Sequence, residues 1–358
     1  MQLPSAAGLW LCYDQTRVRH LVVVPALFGT ELHDEELGAI WGTFGCLYRG
    51  PRLASPAGLR GKPGKVMSAI PLFAGLRYDI LGALQQALGR AGYAPGKNLH
   101  LFAYDWRLRS VDVASALVDE IRRLADASQQ EVDLLGLSNG GLLVRAAFAI
   151  DPALPVERVV TSGAPLAGSL ESLACLNVGF QFAPLGRTVS PGEFVACPGS
   201  LDCLPPPDKS VFLDAGYDLY DAATWKTLRL SVFGDCRGGG DEEDDWVRIV
   251  GDRLSSTRKS WQTLERASAP RRLICVCGDG LPTQVKIVID HGRARVPGEG
   301  RVARLPPEAL AEGDGGVSVE SATAWSGATT EVVRIPVGRH RDVVRTPAAF
   351  RAILDSLS

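Results

Sequence analysis

The sequence predicts an α/β fold with a mostly parallel central sheet flanked by helices. Short β-branched runs ending at Gly or Pro alternate along the chain with amphipathic stretches of helical period, the pattern of repeated βαβ units. The composition, 46% apolar and 22% charged over 358 residues, provides for a proper core. Residues 20–25 read as the first buried strand. Residues 77–91 have helical period, with Ile80, Leu81, Leu84 and Leu88 on one face, and residues 98–104 read as a strand. A strong helix is expected over 111–127, where Val113, Leu117, Ile121 and Leu124 recur at steps of three and four. Residues 131–137 then read as a strand, 140–150 as a helix and 158–162 as a strand. From 169 to 269 the alternation stops. Pro205-Pro206-Pro207, Gly238-Gly239-Gly240 and the acidic run 241–245 fall here, and so long a stretch without sheet elements reads as a separately packed cap or lid, the acidic run as a solvated loop. Strands resume at 272–277, 284–290 and 331–337, before a last helix over 346–357.

Charge and cysteine usage exclude several classes. With 38 basic against 40 acidic side chains and a net charge of −2, no basic block offers itself to phosphates, so nucleic acid is not an expected partner. The apolar runs fall far short of the ~20 residues of a membrane-spanning helix. The first residues lack the basic and apolar regions of a secretory leader, so the expected location is cytoplasmic. The eight cysteines form no C-x-x-C pair and are expected as free thiols, with Cys275 and Cys277 on one buried strand face. No Cys/His spacing matches a zinc site, so no metal or cofactor is expected.

The sharpest chemical signal is Gly136-Leu137-Ser138-Asn139-Gly140, set between an expected strand and an expected helix, which is the context a G-x-S-x-G nucleophile elbow requires. The turn is so tight that side chains flanking the serine would collide, while Ser138 is left exposed at a helix N-terminus that favours developing negative charge. A serine nucleophile needs a base, and the base needs a carboxylate. In the α/β-hydrolase order of Ser, acid, His, two histidines follow Ser138. His340 lies in the loop after the strand 331–337, where that fold places its base, whereas His291 in Asp290-His291-Gly292 reads as a turn residue. For the acid, Gly-Asp-Gly occurs twice, at Asp279 and at Asp314, and strand counting allows either. The oxyanion hole calls for the N–H of the residue after the serine, Asn139, and one from the loop Pro25-Ala26-Leu27-Phe28-Gly29, for which Leu27 is the candidate. Phe28 is a candidate for lining the acyl pocket.

These residues resemble the lecithin:cholesterol acyltransferase and lysosomal phospholipase A2 group of α/β-hydrolases. Val22-Val23-Val24-Pro25 with Gly29 and Leu32 is similar to the group's opening strand and oxyanion loop, and Tyr104-Asp105-Trp106-Arg107 to its signature tetrapeptide. Ser162-Gly163-Ala164-Pro165 with Gly168-Ser169 resembles its segment after the nucleophile helix. Gly278 to Thr283 is similar to a loop that is not catalytic in the group, and Gly313 to Val317 matches its Gly-Asp-x-x-Val element, so the resemblance implies Asp314 as acid and His340 as base. It further implies a single hydrolase domain, with residues 30–75 as a membrane- or substrate-contacting lid and 170–270 as a cap. Trp41, Phe44, Leu72 and Phe73 are candidates for an apolar surface there, with core burial the expected fate of most, and Trp106 is carried as a candidate substrate contact whose competing role is packing. Departures are Ala26 for the usual Gly, Leu137 for the usual His, and Asn139 for a commoner Met or Leu. Cys46 is the sole cysteine between 30 and 75, so the disulfide of the group's secreted members cannot form locally. The expected activity is that of a serine ester hydrolase, lipase- or phospholipase-like or an acyltransferase, acting through an acyl-enzyme on a hydrophobic acyl ester or lipid, with transient contact to a membrane surface. The alternatives are an esterase or thioesterase for a non-lipid acyl group, and a non-catalytic binding module on the same fold.

Overall fold

Six of the apolar runs become the strands of one sheet: β1 (Leu21–Val24), β2 (Leu99–Leu101), β3 (Val132–Leu137), β4 (Val156–Ser162), β5 (Leu273–Asp279) and β6 (Thr330–Pro336). Their order across the sheet is β6-β5-β4-β3-β1-β2, with every neighbouring pair parallel. This computed structural model describes residues 18–50, 53–55, 58–72, 75–181, 188–214, 216–234, 241–296, 305–325, 327 and 329–358. Phe73, Cys12, Cys236 and Gly238-Gly239-Gly240 lie outside the described residues. Strands β1 and β3 are buried along their whole length, which is why they read as continuous apolar runs rather than as alternations.

The longer helices among the described residues are α1 (Gly82–Arg90), α2 (Ser110–Ser128), α3 (Asn139–Ile150), α4 (Leu170–Val178), α5 (Asp241–Leu264) and α6 (Pro347–Leu357). Helices α2, α3 and α5 pack on one another, and α6 packs on β4, β5, β6 and α1. Right-handed crossovers account for the split, because β2→β3 and β3→β4 run one way across the sheet and β1→β2 the other. The stripe Val113, Leu117, Ile121 and Leu124 of α2 is buried, each such side chain contributing roughly 1.5–3 kcal/mol.

Three expected elements differ. The helix foreseen over 77–91 begins only at Gly82: Arg77–Asp79 pairs antiparallel with Ala69–Pro71, and the Asp79 carboxylate accepts the Ala83 N–H at 3.2 Å, fixing the helix start. The strand foreseen over 284–290 is split. Leu281–Gln284 pairs with Leu310–Gly313, Val288–Asp290 pairs with Arg293–Arg295, and Ile287 between them bonds Val211 and Leu213, so none of it joins the main sheet. The acidic run begins α5 rather than forming a loop, and Glu243 pairs there with Lys226 at 3.3 Å. The expected strand face of Cys275 and Cys277 is observed: both are buried free thiols in β5, and Cys46, Cys175, Cys197 and Cys203 are also free.

The tetrapeptide Tyr104-Asp105-Trp106-Arg107 ties the outlying segments to the sheet. Arg107 is fully buried and pairs with Asp105 through its Nε at 2.9 Å and a terminal nitrogen at 2.7 Å. Its other terminal nitrogen donates to the Leu53 carbonyl at 2.7 Å, its own carbonyl accepts the Gly199 N–H at 2.7 Å, and the Trp106 indole donates to the Thr30 carbonyl at 3.2 Å. Removing one partner of such a pair leaves a charge stranded in the interior. Asp105→Ala should therefore lower the unfolding free energy by about 3–5 kcal/mol in denaturant melts, more than any exposed ion pair would.

His20, just before β1, and His100, in the middle of β2, have Nδ1 and Nε2 2.9 Å apart with their rings stacked. Burial, and then the neighbouring His20, depress the His100 pKa below its ordinary 6.5. The unfolded chain thus binds this proton more readily than the folded one, so stability is lost as pH falls below about 6.5. The thermal midpoint should fall between pH 7 and pH 5, with a shallower slope in His100→Asn.

Candidate active site

Strand β3 ends at Leu137 and α3 begins at Asn139, so Ser138 alone turns the chain. It does so at φ 47°, ψ −121°, a conformation a non-glycine residue adopts only when its surroundings impose it. Its N–H donates to the Ser162 carbonyl at 2.9 Å and its carbonyl accepts the Gly141 N–H at 2.9 Å. The glycines are needed for close approach. A Cβ on Gly136 would lie 2.8 Å from the Gly141 Cα, and one on Gly140 would meet the carbonyls of Val24 and Pro25 at the end of β1.

Ser138, His340 and Asp314, separated widely in sequence, are brought together at the C-terminal edge of the sheet. Ser138 Oγ lies 3.1 Å from His340 Nε2, and His340 Nδ1 lies 2.7 Å from Asp314 Oδ2. The other oxygen of Asp314 accepts the N–H groups of Gly316 at 2.9 Å and Val317 at 2.6 Å, which aims the first at the imidazole. Asp314 is 1% exposed. It reaches the site on the ribbon formed by Leu281–Gln284 and Leu310–Gly313. Asp279, the other Gly-Asp-Gly aspartate, stands at the end of β5 and pairs with Arg334 at 3.3 Å. His340 opens a short helical turn, His340–Val344, between β6 and α6, and Ser162 Oγ secures that turn by donating to the Val343 carbonyl at 2.6 Å. His291 is a turn residue with φ 49° and a side chain 96% exposed.

A second carboxylate, not singled out from the sequence, faces the imidazole. Glu171 lies in the first turn of α4, behind its cap Ser169, whose hydroxyl donates to the Gly316 carbonyl at 2.5 Å. A Cβ on Gly316 would run into the Glu171 carboxylate and come within 3.0 Å of the His340 Cβ, so this glycine leaves room for the two to face each other. Burial works to depress the His340 pKa, but the charge of Asp314, its hydrogen bond and the charge of Glu171 outweigh it and push the pKa up to about 9. The pattern Ser-x-Glu reads locally as a helix start; nothing in it signals a histidine 169 positions later.

The loop after β1 stands beside the elbow, because Val24 pairs with Gly136 in register. Both ends of the loop are held: Tyr104 Oη donates to the Pro25 carbonyl at 2.9 Å, and the Trp41 indole donates to the Phe28 carbonyl at 3.0 Å. Leu27 lies between these ties and is partly exposed, while Phe28 sits at φ 66°. The Phe28 ring is 8% exposed and packs against Trp41, Trp106, Phe180 and Phe194, and Trp106 is 1% exposed. Trp41 is buried, and Phe44 and Leu72 are half-buried. Among the described residues no group of three or more His, Cys, Asp or Glu is placed to hold a metal ion.

Residues 60–185 match the lecithin:cholesterol acyltransferase family, a span that includes Tyr104 to Arg107, the elbow and Ser162 to Pro165 but stops before Asp314 and His340. The structure of the Tle4–Tli4 complex aligns with a TM-score of 0.59 at 13% identity, over 94% of this chain and 97% of that one. The chain has the α/β-hydrolase fold. The mature lipase BlEst2 of Bacillus licheniformis aligns with this chain at a TM-score of 0.38 and 15% identity, over 77% of this chain and 83% of the lipase. A Paleococcus ferrophilus monoacylglycerol lipase aligns at 0.33 and 15%, over 77% and 88%. No curated protein matches this sequence.

The electrostatics of His340 can be read without any substrate. Its imidazole should titrate near pH 9 by proton NMR, and Glu171→Gln should move that titration downward. Because the folded pKa is raised, the stability this group adds is complete below about 6.5 and is lost as pH rises through about 9.

Proposed function

We propose that this chain is a serine hydrolase that cleaves hydrophobic acyl esters through an acyl-enzyme on Ser138. The observation that carries the reading is the unbroken contact from Ser138 Oγ to His340 at 3.1 Å and on to Asp314 at 2.7 Å. With Nδ1–H donated to Asp314, the neutral imidazole presents Nε2 to the serine hydroxyl and takes its proton as Oγ attacks the ester carbonyl. The developing oxyanion is stabilised by the N–H groups of Asn139 and Leu27, with the α3 dipole behind the first. Collapse expels the alcohol, which collects the proton from His340. Water, or an acceptor alcohol in the acyltransferase version, is then deprotonated by His340 and releases the acyl group. Since base function requires neutral His340, activity rises with pH on a limb near 9.

The match to the lecithin:cholesterol acyltransferase family over 60–185 favours a lipid acyl ester, and the assembled triad argues against a merely binding role. Residues 30–75 are the proposed surface-contacting segment, supported by Leu37 and Tyr48, 40% and 65% exposed. A fluorophosphonate should label Ser138. Ser138→Ala, Asp314→Asn and His340→Ala should each lower p-nitrophenyl ester hydrolysis by about 10⁴-fold or more, whereas Asp279→Asn should stay close to the parent. Activity surviving in Ser138→Ala, or a greater loss at Asp279 than at Asp314, overturns the reading. Preference for long over short acyl chains separates a lipid ester from a small-molecule ester or thioester.

A further inference from the structure

Asn139 is 2% exposed and carries an amide directly behind the nucleophile, where a buried polar group must find partners. It finds them on two distant segments. Its Nδ2 donates to Tyr104 Oη at 3.4 Å, and its Oδ1 accepts from Cys203 Sγ at 3.1 Å. The single proton of Tyr104 goes to the Pro25 carbonyl at 2.9 Å, so the phenol oxygen is left to accept from the amide. The bonds thus run head to tail from the Cys203 thiol through the Asn139 amide and the Tyr104 phenol to the loop after β1. Tyr104 itself is 3% exposed, and its N–H donates to Thr30 Oγ1 at 3.4 Å.

The two proposed oxyanion donors belong to different segments, one to the start of α3 and one to the loop 25–29. The β1–β3 register ends at Val24 and Gly136, so the ladder does not fix their separation. We propose that the Cys203–Asn139–Tyr104–Pro25 chain sets that separation, with Tyr104 as a positioning residue whose hydroxyl touches both sides of the oxyanion hole. The proposal rests on the serine-hydrolase reading above and adds to it a structural control on how well the hole fits the transition state. A displacement of about 1 Å at such a site can cost on the order of 10²-fold in rate.

The test uses Tyr104→Phe, Asn139→Leu and the double variant, with activity expressed per fluorophosphonate-titrated site so that any unfolded fraction is removed. Each single variant should lower kcat/KM about tenfold with KM nearly unchanged, short of the ~10²–10³-fold that losing a whole donor costs. A trifluoromethyl ketone, which adds to Ser138 and places an oxyanion in the hole, should lose affinity by the same factor, a readout that a purely structural role would not move. The double variant should be no worse than about tenfold, because both changes break one chain. If Tyr104→Phe does not fold, Asn139→Leu carries the same comparison, with Cys203→Ser expected to stay close to the parent and Cys203→Ala below it. Unchanged kcat/KM and ketone affinity in the single variants, or losses that multiply in the double, overturn the proposal while an inactive Ser138→Ala leaves the hydrolase reading standing. Activity in Ser138→Ala would remove both.

Discussion

The contact on which the rest of this molecule depends is the one between the first turn of α3 and the end of β1. Where Gly140 stands there is no room for a methyl group, since the carbonyls of Val24 and Pro25 already occupy the space. Helix α3 can therefore begin immediately after β3, and Ser138 is driven into a backbone conformation that serine would not choose. The same approach brings the loop after β1 alongside the start of α3. Strain at Ser138 is held in place by β1 and β4 on either side of β3, the first buried throughout and the second at every position but Glu157.

The imidazole at the centre of the site is governed by a contest between burial and charge. Apolar surroundings favour its neutral form and two nearby carboxylates favour its cation, and the carboxylates prevail. With the pKa pushed up to about 9, the cation is the favoured form at neutral pH. Glu171 supplies part of that balance from the first turn of α4, on a segment separate from the ribbon that carries Asp314.

The six main strands, most of the helices and the strand-to-helix turn at Ser138 were legible in the sequence because each rests on a strong local signal, whereas the choice of Asp314 over Asp279 came from the family resemblance. Buried parallel strands read as short β-branched runs, α2 shows a clean stripe, and the elbow needs its glycines. Element boundaries failed where one pattern suits two structures: Ile80 and Leu81 fit a helix face but are buried in the turn before α1, and residues 284–290 look like one strand although three different partners claim them. The repulsion of like charges in the acidic run suggests a solvated loop, yet a helix start is a place where the dipole offsets that repulsion, and α5 begins there. The two Gly-Asp-Gly tripeptides are the same string. What separates them is the chain that follows, since Gly316 and Val317 fold back to bond the Asp314 carboxylate while Asp279 bonds the adjacent Gly280 N–H and Arg334. Contacts such as Glu171 facing His340, or Tyr104 bridging Asn139 and Pro25, join residues whose local sequence gives no sign of the other.

The route by which Asp314 arrives has a consequence for how this protein can change over generations. Its carboxylate is borne on a two-stranded ribbon that packs beside the sheet, not on the tip of a sheet strand. The ribbon closes on itself, Leu281 opposite Gly313, so the 25 positions from 285 to 309 form an excursion whose two ends are already clasped. Because that clasp stands between the excursion and Asp314, a change of length inside it reaches the carboxylate only through the ribbon.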